Sequence, residues 1–354
     1  LERDPIEYLA QERTLEPKLD RVREAVSGIV AANPQDVALV RTATDGVNAV
    51  LRSMQLAAGD EIVVTDHGYN ACNNAARYVA ERAGGRVRQA SVPFPIRDPQ
   101  CVVAAVDSVL NEQTRLIIID HVTSPTGLVL PVKEIVSLAK SRGVRVLVDG
   151  AHAPGMVPVD VEGIGADYYT GNHHKWLCAP KVSGFLHVRR ELQHEVRPTV
   201  ISHGFNRRRP GRSSFLSQFD WCGTFDPTPA LAVPVAIEFL ASLFPDGLGG
   251  LIRRNRELAL AAQECLIETL GLSPPAPPEM IGSLVSVPLS FLRLTNESQA
   301  EAFQQHLVRK HRIEAPLFMG PGESGPLLRI SLQAYNSIEQ VERLARLLKS
   351  STCF

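Results

Sequence analysis

Residues 171–186 read Gly-Asn-His-His-Lys-Trp-Leu-Cys-Ala-Pro-Lys-Val-Ser-Gly-Phe-Leu. Two histidines stand directly before Lys175 and a tryptophan directly after it. Three chemistries fit such a stretch: a metal site, a basic surface loop, or a lysine held for covalent work. Adjacent histidines rarely point at one metal, and no HExxH pattern accompanies them. A lysine among His, Trp, Pro and Gly is also not placed like a solvated one. Bulky flanks desolvate the amine and depress its pKa, the state in which a lysine is a nucleophile. A second chemical signal lies upstream. Asp149 closes the apolar run Val144-Arg-Val-Leu-Val-Asp149 and is followed by Gly150-Ala-His152. As a bland alternative, Asp149 is a turn or capping residue.

The elements that must position these residues alternate. Short apolar runs bounded by Gly, Pro or Asp predict strands over 37–40, 61–65, 86–92, 115–120, 144–149 and 167–170. Helical spacing of apolar residues predicts helices over 17–32, 70–83, 99–110 and 131–142. Such alternation implies an α/β chain with a mostly parallel sheet flanked by helices, in which ligands sit outside the carboxyl ends of the strands. Asp120 and Asp149 both fall at such ends. The texture changes near Leu251: helices over 251–270, 298–310 and 337–349 and strands over 284–289 and 327–331 predict a small α/β domain. The division expected is therefore a large domain over 1–250 and a small C-terminal one over 251–354.

Composition narrows the function. The 354 residues are 44% hydrophobic and 21% charged, with a formal net charge of −1, which points to a globular chain and not to nucleic acid or an anionic membrane as partner. No apolar run reaches the ~18 residues of a membrane span. Cys72, Cys101, Cys178, Cys222, Cys265 and Cys353 are scattered without a CxxC pair, the pattern of reduced thiols in a cytoplasmic protein. The sequence opens without Met in charged residues and shows no signal peptide. Arg207-Arg208-Arg209 with Arg212 reads as a solvated loop, or as a place to meet a second acidic group on a substrate. Gly320-Pro-Gly-Glu-Ser-Gly325 matches GxGxxG, but it precedes a strand where the dinucleotide site needs a strand-to-helix turn, so it reads as a turn.

Seven stretches, in order along nearly the whole chain, together carry a resemblance: Ala43-Thr-Asp-Gly-Val-Asn48, Asp66-His-Gly-Tyr-Asn70, Asp120-His-Val-Thr-Ser-Pro-Thr126, Val148-Asp-Gly-Ala-His152, residues 171–186, Trp221-Cys-Gly-Thr-Phe-Asp-Pro-Thr228 and Arg329-Ile-Ser-Leu-Gln-Ala-Tyr-Asn336. The sequence resembles fold-type I enzymes dependent on pyridoxal 5′-phosphate, in the class V aminotransferase family, and within it the isopenicillin N epimerase-like subgroup.

The resemblance implies a role for each matching residue. Lys175 carries the cofactor as a Schiff base and moves the Cα proton. Asp149 pairs with the pyridine nitrogen, and His152 sits near the ring oxygen. Thr44, Asp45 and Gly46 open an apolar-periodic helix whose N-terminus receives the phosphate; Thr44 alternatively is a plain N-cap. Tyr69, or else His67, covers the ring face, and Ser124 touches the ring hydroxyl. Asn172 and His174 help hold phosphate, while His173 packs. Gly223 and Thr224 reach the phosphate of a partner subunit, which implies a homodimer. Arg329 forks onto the substrate α-carboxylate, a bidentate task suited to guanidinium; the alternative is a strand-edge ion pair.

Departures from the family pattern bear on the reaction. Residues 313–325, where related desulfurases carry a mobile cysteine, have none, which argues against that route. Phe225 follows Gly-Thr where relatives often carry other residues, Arg among them. Relatives usually have a further N-terminal segment with an Asn-His-Gly-Ser type motif, expected at the site entrance. The reactions implied are a carbon–sulfur β-lyase or an epimerase, with aminotransfer as the next option. A catalytically silent binding protein on the same fold is the alternative of a different class, and intact Lys175, Asp149 and Arg329 argue against it.

Overall fold

The computed structural model describes residues 14–350 apart from 208 and 323. Cys353 therefore lies outside the described residues. Seven strands form the main sheet: β1 (Val37–Val40), β2 (Glu61–Thr65), β3 (Arg86–Ala90), β4 (Thr114–Asp120), β5 (Arg145–Gly150), β6 (Tyr168–Asn172) and β7 (Gly184–Val188). Their order across the sheet is β1-β7-β6-β5-β4-β2-β3. Neighbours from β3 to β6 run parallel, and β7 runs antiparallel to both β6 and β1. β7 is not among the strands expected from the sequence; it starts at the end of the 171–186 stretch, runs on to Val188 and folds back on β6.

The strands owe their place to unbroken apolar runs. β4 reads Thr-Arg-Leu-Ile-Ile-Ile-Asp, and Leu116, Ile117 and Ile119 are wholly buried. A strand covered by helices on both faces has no wet side, so its sequence does not alternate. Residues of one β4 strand enter two different cores: Ile117 and Ile119 on one face of the sheet, Leu116 and Ile118 on the other. Truncating Ile117 to Ala would cost ~2–5 kcal/mol.

A three-stranded antiparallel sheet follows, in the order β8 (Leu284–Pro288), β10 (Pro326–Ser331), β9 (Leu317–Met319). Helices Gly247–Leu270, Glu297–His311 and Ile338–Ser350 accompany it. Their apolar residues join the same hydrophobic cluster as β5 and the Val132–Ser141 helix, so the second sheet is packed on the first through a continuous core. The GxGxxG-like stretch turns β9 into β10, with Gly320 N–H donating to Gly325 O at 2.7 Å.

Parallel topology brings the carboxyl ends of β2, β4, β5 and β6 to one edge. Asp120 and Asp149 are register partners there, as are Gly150 and Gly171. The antiparallel β7 begins at this edge, with Gly184 opposite Asn172. The 173–183 connection that carries Lys175 is therefore pinned at both ends beside the two aspartates.

Candidate active site

Lys175 lies at the centre of this edge. Its Nζ is 3.0 Å from His152 Nε2 and 5.8 Å from the centroid of the Tyr69 ring. His152 Nδ1 in turn accepts from the Trp176 indole N–H at 3.2 Å. Burial lowers the Lys175 pKa, against the pull of Asp149. Burial, then the charges of Lys175 and Arg329, push His152 well below the ordinary histidine value.

Asp149 is 2% exposed. Its Oδ1 accepts from Ala151 N–H at 3.0 Å and its Oδ2 from the Cys72 thiol at 3.2 Å. Among the described residues no cation pairs with it. Asp120, its neighbour on β4, is also buried, and burial followed by the Asp149 charge raises its carboxyl well above the usual range. The same two causes raise the Cys72 thiol. Cys72 sits on the Asn70–Arg82 helix, which follows β2.

The Ala43–Ser53 helix starts at this edge, and its cap differs from expectation. Thr42, not Thr44, is the N-cap, its hydroxyl accepting from Asp45 N–H. Asn172 Oδ1 takes Ala43 N–H at 2.8 Å, tying the helix start to β6. Gly46 N–H goes to Thr42 O. That leaves Thr44 N–H, among the described residues, as the first-turn donor without a partner. The Asp45 carboxylate turns to Thr199 Oγ1 at 2.7 Å. Gly46 has a packing reason: a Cβ there would lie 2.4 Å from Thr170 Oγ1.

Arg329 on β10 closes the site from the second sheet. Its Nη1 meets the Ser124 carbonyl and the Ser124 hydroxyl, the latter at 3.1 Å, while its Nε is buried without a partner. The Phe318 ring lies 5.9 Å from its guanidinium carbon. Among the described residues Arg329 forms no strand-edge ion pair. His67 is already engaged. It is fully buried, with Nδ1 against Thr126 Oγ1 at 2.8 Å and Nε2 against Val92 O at 3.0 Å. Tyr69 is 43% exposed and available. His174 directs Nδ1 at Ser183 O at 3.1 Å. His173 is buried with neither nitrogen bonded, stacked on Phe185, and its pKa falls to about 3 through burial. Thr224 is exposed on the single chain, after Gly223 at φ 95°.

The basic cluster has a structural use. Arg212 is held by Asp20 and Asp220, and Arg209 meets Glu16 at 3.2 Å, so neither is spare for an acidic substrate group. Arg208 lies outside the described residues. The sequence reading missed Cys72, Asp120 as a partner of Asp149, Trp176 as a partner of His152, and Gln333. Asp120 carried a signal, its place at a strand end. The others had none, because their contacts join distant segments.

The sequence matches the Aminotransferase class-V family over residues 10–289. The chain belongs to that family. It is 37% identical to isopenicillin N epimerase of Amycolatopsis lactamdurans over 98% of this chain and 87% of that protein. It is 32% identical to a putative L-cysteine desulfhydrase of Oryza sativa subsp. japonica, over 93% of this chain and 74% of that one. Its fold is that of the cystine C–S lyase C-DES, solved with cysteine persulfide, at TM-score 0.76 and 22% identity over 94% of this chain and 86% of that one. A mutant of C-DES holds glycine covalently linked to its PLP cofactor. The chain is thus a pyridoxal-phosphate enzyme of fold-type I, with epimerases and carbon–sulfur lyases as relatives. Among the described residues no single helix is long and apolar enough to cross a membrane.

Proposed function

We propose that this class V enzyme is a carbon–sulfur β-lyase acting on a cysteine-type α-amino acid. The arrangement of residues suits the cofactor. Asp149 is a buried carboxylate with no cationic partner among the described residues, which suits holding a proton on a ring nitrogen. Thr44 N–H at a helix N-terminus, with His174 and Asn172 nearby in sequence to Lys175, suits a phosphate. Tyr69 is free to cover a ring, and Ser124 to meet its hydroxyl. Pyridoxal phosphate, when bound, supplies the electron sink that allows an α-amino acid to lose its Cα proton or a β-substituent.

The chain's own residues then divide the work. Lys175 Nζ, whose pKa burial lowers, takes the Cα proton. Arg329 leaves Ser124 and forks onto the α-carboxylate, which also satisfies its idle Nε. His152 orients Lys175 through their 3.0 Å contact.

One observation carries the choice of lyase. An epimerase needs a second proton-transfer group on the face opposite Lys175, and His67 is unavailable, both its nitrogens being engaged in a buried site. Lys175 with His152 forms a one-sided base system, sufficient for β-elimination. The epimerase reading rests on the Tyr69 hydroxyl as the second acid and on the 37% identity to an epimerase. Exposed Tyr69 faces Lys175, exposed Val182 lies on the Lys175 loop, and Val200, Ile201 and Phe205 follow nearby in sequence. With exposed Thr224, they support a homodimer with shared sites. Unpaired Cys72, Cys101, Cys178, Cys222 and Cys265 support a cytoplasmic setting.

The holoenzyme, incubated with L-cysteine, cystine and S-conjugates, should release pyruvate and ammonia together with sulfide, cysteine persulfide and a thiol, respectively. A D-amino acid appearing without pyruvate would overturn the lyase reading in favour of epimerisation.

A further inference from the structure

We infer that Trp176 is a positioning residue: its indole N–H fixes His152 as the Nε2–H tautomer, and this tautomer requires Lys175 to stand as a neutral amine. The inference rests on Lys175 being the cofactor lysine, and it adds how the nucleophilic form of that lysine is set.

Donors and acceptors must match along the contacts of His152. An indole nitrogen can only donate. Trp176 Nε1 lies 3.2 Å from His152 Nδ1, so Nδ1 must present a lone pair. A neutral imidazole carries one proton, which is then on Nε2. Nε2–H points at Lys175 Nζ, 3.0 Å away. An ammonium has three donors and no acceptor, so it would set N–H against N–H across this contact. A neutral amine offers the lone pair that completes the chain Trp176 N–H to His152 to Lys175. That lone pair is the one that attacks an aldehyde carbon.

Trp176 is held firmly enough to impose this. It is 6% exposed. Its carbonyl accepts from Gln333 Nε2 at 3.2 Å, and Gln333 Oε1 accepts from Asn255 Nδ2 at 2.6 Å. Gln333 and Asn255 are both buried, on the segment after β10 and on the Gly247–Leu270 helix. Gly155, at φ 84°, lets its chain pass the Trp176 carbonyl, where a Cβ would come within 2.9 Å.

The charged and titratable groups facing Lys175 are otherwise divided. Asp149 of β5, Asp120 of β4 and Cys72 favour the ammonium; burial and Arg329 of β10 oppose it. His174 lies close enough to feel the lysine's charge, and the Tyr69 ring is 5.8 Å away. These neighbours pull in both directions, and the fixed donor at His152 adds its weight to the neutral amine.

The test uses the full chain stripped of cofactor. Nitrogen-15 NMR of histidine-labelled protein reads the His152 tautomer, assigned with His152→Gln. Competitive acetylation with acetic anhydride across pH, read by mass spectrometry at Lys175, gives the pH at which the amine discharges. The wild type should show a bare Nδ1 and a protonated Nε2. Trp176→Phe keeps the ring and removes the donor. It should mix the two tautomers and move the Lys175 midpoint up by about one pH unit, a tenfold loss of neutral amine below the midpoint. A proton on Nδ1 in the wild type, or an unmoved midpoint in a Trp176→Phe protein that melts as the wild type does, overturns the inference. Should that variant not fold, the wild-type spectrum decides alone. Failure of the wild type to capture pyridoxal phosphate would sink the cofactor role of Lys175 and leave the tautomer result standing.

Discussion

Two buried charge clusters in this protein obey opposite rules. In the first, Arg23 and Arg212 face Asp20 and Asp220. Arg23 is 1% exposed and donates to Asp220 Oδ1 at 3.0 Å and to Asp20 Oδ1 at 2.8 Å. Arg212 reaches the same two carboxylates. Two cations meet two anions, and Asp20 and Arg212 are pushed toward their charged forms. Burial opposes the Asp20 carboxylate, but Arg212 and Arg23 win and hold its pKa below the usual range. Burial likewise opposes Arg212, and Asp220 and Asp20 win. In the second cluster, like stands beside like: Asp120 beside Asp149, and Lys175 near Arg329. Here Lys175 and His152 are pushed down and Asp120 and Cys72 up, all toward neutral forms. A cluster that satisfies itself is structural. One that leaves its members short of partners is arranged for a guest.

The contrast can be broken most forcefully by exchanging the roles of the clusters. Lys175→Met should abolish turnover by at least ~10³-fold, the scale of a lost proton-transfer group. It should not lower the melting temperature of the cofactor-free protein. The folded pKa of Lys175 lies below its unfolded value of 10.5. Below that value folding must therefore discharge the amine or bury a cation, and Met removes this cost. Asp220→Ala should do the reverse. It leaves buried Arg23 with Asp20 as its remaining carboxylate and should cost ~1–3 kcal/mol of stability, read by denaturant titration.

Arg329→Lys sharpens the functional side. It keeps the charge and loses the fork, and should lower kcat/KM by about 10–100-fold, mostly through KM. An unchanged KM would place the carboxylate elsewhere.

Acid separates the clusters by sign. Asp20 has a folded pKa lowered from 3.8. Its contribution is fully present above pH ~3.8 and is lost as pH falls through the folded value. Asp120, raised well above 3.8, contributes nothing to acid lability there. Asp20→Asn should therefore flatten the acid limb of a pH–melting curve, and Asp120→Asn should leave that limb in place.

The smallest effect belongs to Cys72→Ala. Its thiol is a weak donor to Asp149 Oδ2, and Ala151 N–H still holds Oδ1. Activity should change less than about threefold.

What the sequence discloses follows from the range of the forces involved. The parallel sheet was legible because Ile117, Val148 and their neighbours form apolar runs separated by helical periodicity. Asp149 and Lys175 were legible because each interrupts such a pattern at a strand end or between bulky residues. β7 was not, since Phe185-Leu-His-Val188 becomes a strand through pairing with β6 on one side and β1 on the other. The Thr42 cap was displaced from the expected Thr44 by two residues, a shift that helical periodicity cannot resolve. The links from Trp176 to His152, from Gln333 to Trp176 and from Cys72 to Asp149 depend on register across elements far apart in the chain. The use of Arg212 by Asp20, which removes it from the substrate's reach, is of the same kind.

The central claim is that Lys175 carries the cofactor. Borohydride reduction of the cofactor-loaded protein, followed by peptide mass mapping, tests it directly. The account predicts loss of a visible absorbance band and one phosphopyridoxyl group on the peptide containing Lys175. A folded protein that takes up no cofactor, or that carries the group on another lysine, would contradict it.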